Sequence, residues 1–475
     1  MLISVEHEMP VVRYGPDRPG CAPGPEVFTS LWDTLVREGW DRDGKHAVSR
    51  SPTLSNPLAC KPLQTMTTDT GPTLEIAPSP AESIAEIEAQ LRDIRSIAGK
   101  KLASQGFALL GSGVHPVVSS TLGDYYRLRT PRLAYDYAIR ERGWQHRMVL
   151  HIAAMQEVVD VPTERAPAIF AAMNRLAGIM LFLFRNDPSY RSAPSGALLY
   201  SVRPSAWREQ MPIAGPFVGD RSKVGMPLEE VHTWREYFKL LWGSRMFLLG
   251  TKTGDMVYVP EHPTFEQFIL HPPTSGWQAR RIDSPELQPI APNMVHVEQT
   301  DWTYMGFARL RLFWKSGTTL RELLDAYRDD DAFEQFLKQH LKKVLLENRS
   351  SATPPPGYEM NSLAFVSGLI ENFDVVESLL GEKPYRFWQA VAQAAECQPL
   401  DSLVWDESIP ELASRFVELS AVGLHGREKG EDRYLDPIRH MLHNTRRSHS
   451  ESNLKVWQQG GLDGLLKTLL YGFDS

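Results

Sequence analysis

Between Ile169 and Phe184 the chain is apolar apart from Asn174 and Arg175. The run is shorter than the roughly 20 residues a bilayer span requires, so its pattern predicts a helix buried on every side by other elements. Enclosing such a helix takes a large fold, and the chain has 475 residues; at about 100–200 residues per domain, two to four units are expected. Apolar residues are 42% and charged residues 23%, which excludes disorder, collagen and coiled coil. Fifty-one Lys and Arg against 58 Asp and Glu give a net charge of −7, so neither nucleic acid nor membrane is an expected partner. Cys21, Cys60 and Cys397 are odd in number and far apart. That spacing argues against a disulfide framework, a redox pair or a Cys-based zinc site, and a cytoplasmic location is expected. Glu6 and Glu8 interrupt the only apolar stretch of the N-terminus, so no secretory leader is expected.

Leu2 to Glu8 reads as a strand whose period of two sets Glu6 and Glu8 on one face and Ile3, Val5 and His7 on the other. Phe28 to Arg37 reads as a short helix. Thr73 to Ala77 is a second strand candidate after the turn signal Asp69-Thr70-Gly71-Pro72. Ser79-Pro80-Ala81-Glu82 then has the form of a helix start, followed by Ile84, Ile87, Leu91 and Ile94 on one helical face. Gly106 to Leu110 and Met148 to Met155 read as further strands, Asp187 to Trp207 as a long loop, and Met246 to Leu249 with Met256 to Val259 as a hairpin. Gly306 to Trp314 is the last strand the pattern supports. Beyond Thr318 the apolar spacing becomes helical and includes Val344 and Leu345. The expected division is a catalytic domain over residues 1–315 and a helical C-terminal region over residues 316–475 that packs on it.

Glu6 and Glu8 on one strand, with Asp69 and Glu75 six residues apart near a second, form a set of oxygen donors suited to a hard divalent cation such as Mg²⁺. Alternating acids equally mark the solvated face of an edge strand. What favours the first reading is a resemblance to the glutamate–cysteine ligase family of carboxylate–amine ligases, in its plant and proteobacterial branch. Ser4-Val5-Glu6-His7-Glu8 is similar to that family's early Glu-His-Glu strand. Asp69-Thr70-Gly71-Pro72-Thr73-Leu74-Glu75-Ile76-Ala77-Pro78 resembles its Glu-Pro-Gly-Gly-Gln-aromatic-Glu segment, keeping the spacing of the acids while losing the second Gly and the Gln. Pro131 to Tyr137, His151 in Val149-Leu150-His151-Ile152, and Tyr200-Ser201-Val202-Arg203-Pro204-Ser205-Ala206-Trp207 resemble further family segments in the same order.

The resemblance implies an α+β fold: a curved antiparallel β-sheet funnel with surrounding helices, of the glutamine synthetase and guanido kinase type, followed by a helical C-terminal region. It implies ATP and Mg²⁺ as cofactors and small-molecule substrates, glutamate or a similar carboxylate and an amine such as cysteine, in glutathione biosynthesis. The chain would act as a monomer or homodimer. Glu6, Glu8, Asp69 and Glu75 are then the metal ligands, Arg203, Arg309 and Arg311 the contacts to phosphate or substrate carboxylate, and Arg311, Arg203 and His151 the catalytic groups. His151 reads equally well as a hydrogen-bonded core histidine; Trp207 reads as packing rather than substrate stacking, and Arg208, Arg221 and Lys223 as solvated surface rather than contacts to ATP. The cluster from Arg446 to His449 reads as a solvated helix end.

One position departs from the family. Its last core strand carries Glu-x-Arg, with the Glu on a metal, whereas Arg309-Leu310-Arg311 stands here. At ~4 Å from a cation such a reversal is worth several kcal/mol even at an effective dielectric near 20. Arg309 therefore replaces a metal ion as a fixed cation, or marks altered ATP chemistry, or Glu298 nearby supplies the missing acid. The alternatives to a glutamate–cysteine ligase are a homologue that binds nucleotide or amino acid without ligation, and a specialised ligase whose acceptor is not cysteine.

Overall fold

The computed structural model describes residues 1–15, 19–43, 47–50, 64–68, 71–118, 121–130, 132–145, 152–190, 198–250 and 256–472, with Trp302 and Thr303 described by their backbone alone. One sheet organises it. Its nine strands are β1 (Ile3–Arg13), β2 (Asp41–Asp43), β3 (Ala47–Arg50), β4 (Gln64–Thr68), β5 (Thr73–Ala77), β6 (Phe107–Leu109), β7 (Met155–Val161), β8 (Ala308–Trp314) and β9 (Leu341–Asn348). They lie in the order β8-β9-β7-β1-β5-β4-β3-β2, with β6 on the far end of β1, and every pairing is antiparallel. Strand β1 is central because its length lets it pair with β7 through Ile3 to His7, with β5 through His7 to Pro10 and with β6 through Val11 to Arg13.

Period-two alternation divides the sheet into two faces. Ile3, Val5, Met9, Leu74, Ile76, Met155, Val159, Leu310, Val344 and Leu346 form the apolar face and join one core with the surrounding helices. The helices that matter here are α1 (Pro25–Arg37), α2 (Ile84–Ala103), α3 (Ala166–Phe184), α4 (Arg203–Gln210), α5 (Asn361–Glu371), α6 (Tyr385–Cys397), α7 (Ile409–Gly426) and α8 (His449–Leu469). Helix α3 is the apolar run of the sequence. By length and composition it could cross a membrane, yet it lies inside the protein. Its two polar residues find partners there: Asn174 Nδ2 donates to the Phe170 carbonyl at 2.9 Å, and Arg175 binds Glu230 and the Leu380 carbonyl.

Several expected elements shift. Helix α2 is capped by Ser83, whose hydroxyl accepts from the Glu86 amide, while Ala81 is still bridged to Ile3; the residues from Ser79 to Glu82 precede the helix. The strand expected at Met148 to Met155 is found at Met155–Val161, and residues 146–151 lie outside those described. The hairpin strands are shorter than expected, Leu249–Gly250 pairing with Met256–Tyr258, and residues 251–255 between them lie outside those described. The loop from Asp187 ends earlier than expected because α4 starts at Arg203. Ser448 is no solvated residue but the buried N-cap of α8, in a capping box with Glu451.

The largest correction concerns Leu341–Asn348. Val344 and Leu345 read as helical, yet this segment is β9, between β8 and β7, and it carries the sheet past residue 315. The helix Asp330–His340 just before it explains the misreading: its apolar period runs up to the junction.

Candidate active site

The other face of the sheet is charged. Glu6 and Glu8 project from β1, Gln156 stands opposite Glu6 on β7, and Glu75 stands directly opposite Glu8 on β5. Across β7, Val158 is paired with Glu347 of β9, and Glu347 with Arg309 of β8. Period two therefore gathers Glu6, Glu8, Glu75, Gln156, Arg309, Arg311 and Glu347 on one surface.

At its centre Glu347, with no exposed side-chain surface, accepts from three guanidinium groups. Arg309 Nε reaches Oε2 at 3.0 Å and Nη2 reaches Oε1 at 2.9 Å; Arg349 Nη1 reaches Oε1 at 2.5 Å; Arg311 Nε also donates to Oε2. Burial alone would raise the Glu347 carboxyl, but Arg309, Arg349 and Arg311 hold it far below the usual carboxylate range. Arg311 extends past Glu347 to Glu6, its Nη2 lying 3.3 Å from Oε1, and it remains 35% exposed where Glu6 is 24% exposed. Burial and the neighbouring Glu347 charge raise the Glu6 carboxyl more than the arginines lower it. Burial lowers Arg309, while Glu347 and Glu6 hold Arg311 up.

A second chain of bonds leads to Glu8. Arg349 Nη1 donates to Gln156 Oε1 at 2.7 Å, Gln156 Nε2 to Glu8 Oε1 at 2.9 Å, and the Ala154 amide to Glu8 Oε2 at 2.7 Å. Arg203 joins from the first turn of α4: buried, it donates through Nη1 to the Arg349 carbonyl. Six of the residues singled out in the sequence, Glu6, Glu8, Glu75, Arg309, Arg311 and Arg203, are thus brought together. Asp69 and His151 lie outside the described residues.

Glu298 is exposed on a short helix, so it does not supply the missing acid; Glu347 faces Arg309 instead. Sequence reasoning missed Glu347, Arg349 and Gln156. The available signal was the need for an anion beside Arg309 and Arg311, together with the alternation of Val344, Leu346 and Asn348. Two surface expectations also change. Lys223 is buried, paired with Asp220 at 3.1 Å and lowered to about 8 chiefly by burial, and Arg208 is paired with Glu396.

The donor chemistry fits a divalent cation at one end only. Like charges directly opposite on adjacent strands, as Glu8 and Glu75 are, are unfavourable unless a cation lies near them. Among the described residues no three His, Cys, Asp or Glu side chains converge as a metal cage. A small hard cation that shares one or two carboxylates with substrate phosphates needs no such cage. At the other end, around Glu347, guanidinium groups already supply the positive charge.

This fold is similar to that of two solved structures. The chain aligns over 98% of its length with a bifunctional glutathione synthetase from Pasteurella multocida, with a TM-score of 0.53 and 12% identity, and spans 51% of that protein. It aligns over 98% of its length with the glutamate–cysteine ligase of Francisella tularensis in complex with AMP, with a TM-score of 0.51 and 12% identity, covering 87% of that chain. In sequence, residues 41–244 match the model of Glutamate-cysteine ligase family 2, so the resemblance read from the motifs holds over that segment. The segment includes Glu75 and Arg203 but neither β1 nor the β8–β9 pair. No curated protein matches the chain.

Proposed function

We propose that the protein is an ATP- and Mg²⁺-dependent carboxylate–amine ligase that forms a γ-glutamyl amide through an acyl phosphate. The observation that carries this reading is the single charged face on which Glu6, Glu8 and Glu75 adjoin Arg309, Arg311 and Arg349, in a fold like that of glutamate–cysteine ligases. Glu6, Glu8 and Glu75, with Asp69, would hold Mg²⁺, and Mg·ATP when bound supplies an electrophilic phosphoryl group whose charge is neutralised for transfer. Arg311, the most exposed of the guanidinium groups, is suited to a bidentate grip on a carboxylate or phosphate. Glu347 fixes its direction. Arg203 stiffens the Arg349 backbone from behind. The substrate carboxylate would take the γ-phosphoryl group with loss of ADP, and the amine would then displace phosphate and lose a proton. We also infer that the sheet curves as a funnel, as in that fold family, and that the enzyme works in the cytoplasm.

A second reading is favoured by the ion pairs themselves. Arg309 and Arg311 engage Glu347 and Glu6 within the chain, as expected of a homologue that binds nucleotide without ligating. Purified protein with glutamate, Mg·ATP and a panel of amines that includes cysteine should release phosphate only when an amine is present. Glu6→Gln should abolish that release with an unchanged circular dichroism spectrum. Mg·ATP binding without amine-dependent phosphate release would favour the second reading, and neither binding nor release would reject both.

A further inference from the structure

Behind the charged face, three consecutive residues at the end of α3, Arg185, Asn186 and Asp187, are completely buried. Each is tied to α8. Arg185 binds Ser448 and Glu451, Asn186 Oδ1 accepts from Asn453, and the Asp187 amide donates to Ser450 Oγ at 3.1 Å. Asp187 also reaches the opposite way. Its Oδ2 accepts from the Ser201 hydroxyl at 2.9 Å and from the Arg203 amide at 2.8 Å, and its carbonyl accepts from the Val202 amide at 2.9 Å. Its other carboxylate oxygen, Oδ1, is buried without a partner among the described residues. A buried, half-satisfied carboxylate is an expensive way to hold a turn, and a neutral side chain would serve packing alone.

We propose that Asp187 is a positioning residue: its carboxylate fixes the backbone of Arg203 so that the guanidinium reaches the Arg349 carbonyl, behind the Glu347 cluster. The path runs from Ser450 through Asp187, Arg203 and Arg349 to Glu347, and each link is a hydrogen bond. The charges facing Asp187 are Arg185 and Arg203, with the Tyr190 phenol beside them. Helix α8 presents Ser450 and Asn453 to the segment, and Gly111, Gly113 and Thr353 meet it through Asn186 by their backbone. Burial raises the Asp187 carboxyl to about 6, against the hydrogen bonds of Arg203 and Ser201 and the two guanidinium charges. Protonation therefore removes the charge assistance to the Arg203 amide just below neutral pH.

The inference rests on the ligase reading only where Mg·ATP serves as a probe, so the deciding measurement uses no ligand. Hydrogen exchange of the amides of residues 201–203, 205–210 and 349, corrected for intrinsic rates, should show protection in the wild type at pH 7.5 that falls about tenfold at pH 5.2. In Asp187→Asn, which keeps the acceptor and the size, protection should stay at the lower level at both pH values while the rest of the chain is unchanged. Ser201→Ala removes one donor to the anion and should move the pH step upward. With Mg·ATP, calorimetry should give about tenfold weaker binding for Asp187→Asn at pH 7.5 and no pH step. Exchange and pH dependence in Asp187→Asn identical to the wild type would overturn the proposal. A wild type that shows the exchange step yet binds no Mg·ATP would leave the clasp standing and reject the ligase reading.

Discussion

Glu157 lies beside Gln156 in β7 but points to the apolar face, where it is fully buried; Asn348 and Ser351 donate to its Oε2. Burial raises its carboxyl to about 7 against hydrogen bonds from Ser362, Asn348 and Ser351. The unfolded chain releases this proton near 4.5, while the folded protein retains it until about 7. Between those values the folded state binds more protons, so stability falls as pH rises through the window. At about 1.4 kcal/mol per pKa unit the loss by pH 8 is about 3 kcal/mol, and Asp187, raised to about 6, contributes in the same direction. Urea unfolding of the wild type should therefore show a midpoint that falls from pH 5 to pH 8. Glu157→Gln should flatten that slope and raise the midpoint at pH 8; an unchanged slope would refute the assignment. At this scale the sequence was legible where strand alternation alone decides orientation, as for Glu6, Glu8, Arg309 and Arg311. It was silent on Glu347, Glu157 and Asp187, whose roles depend on partners from other elements: Arg309 and Arg311 for Glu347, Asn348 and Ser351 for Glu157, and Ser201, Arg203 and Ser450 for Asp187.

Among the elements, length and periodicity made β1, β5, α2 and α3 readable, because each carries its own amphipathic or apolar pattern. Strand β9 was not, since it follows a helix directly and its two ladder partners, β8 and β7, are set only in the folded sheet. Glycine at helix crossings was unreadable for a related reason: nothing local distinguishes a packing glycine from a turn. A Cβ on Gly423 of α7 would lie 2.0 Å from the Gly368 carbonyl oxygen of α5, and one on Gly368 would lie 2.2 Å from the Ser420 carbonyl oxygen. These two helices touch backbone to backbone, and Ser420 Oγ adds hydrogen bonds to the Ala364 and Phe365 carbonyls. Gly423→Ala must push the helices apart, at a cost of roughly 3 kcal/mol or more. Gly426→Ala, on the same helix with open space around its Cβ, should be neutral or slightly stabilising. Urea midpoints with unchanged m-values would measure the contrast, and equal midpoints for the two variants would show that the crossing tolerates a methyl group.

For the whole molecule, the question is where the charged face ends. The change of apolar spacing beyond Thr318 suggests a boundary, but β8 joins the sheet only through β9, which lies between β8 and β7. Without residues beyond 315, β8 and β7 would each lose a neighbour, and Arg309 and Arg311 would lose the Glu347 carboxylate that holds them. A buried charge stripped of its partner costs roughly 3–5 kcal/mol, a large share of the 5–15 kcal/mol by which domains are stable. The helices beyond residue 360 are equally committed. Gly178 of α3 packs so closely on α6 that a Cβ there would meet the Ala392 amide nitrogen at 2.5 Å, so the buried apolar helix is enclosed partly by the C-terminal region. A fragment of residues 1–315 should therefore fail to unfold cooperatively and should expose apolar surface to a hydrophobic dye, whereas the full chain unfolds in a single transition. A 1–315 fragment with a sharp thermal transition and a native-like near-ultraviolet spectrum would instead establish two separable units, with β9 an accessory to a sheet complete without it.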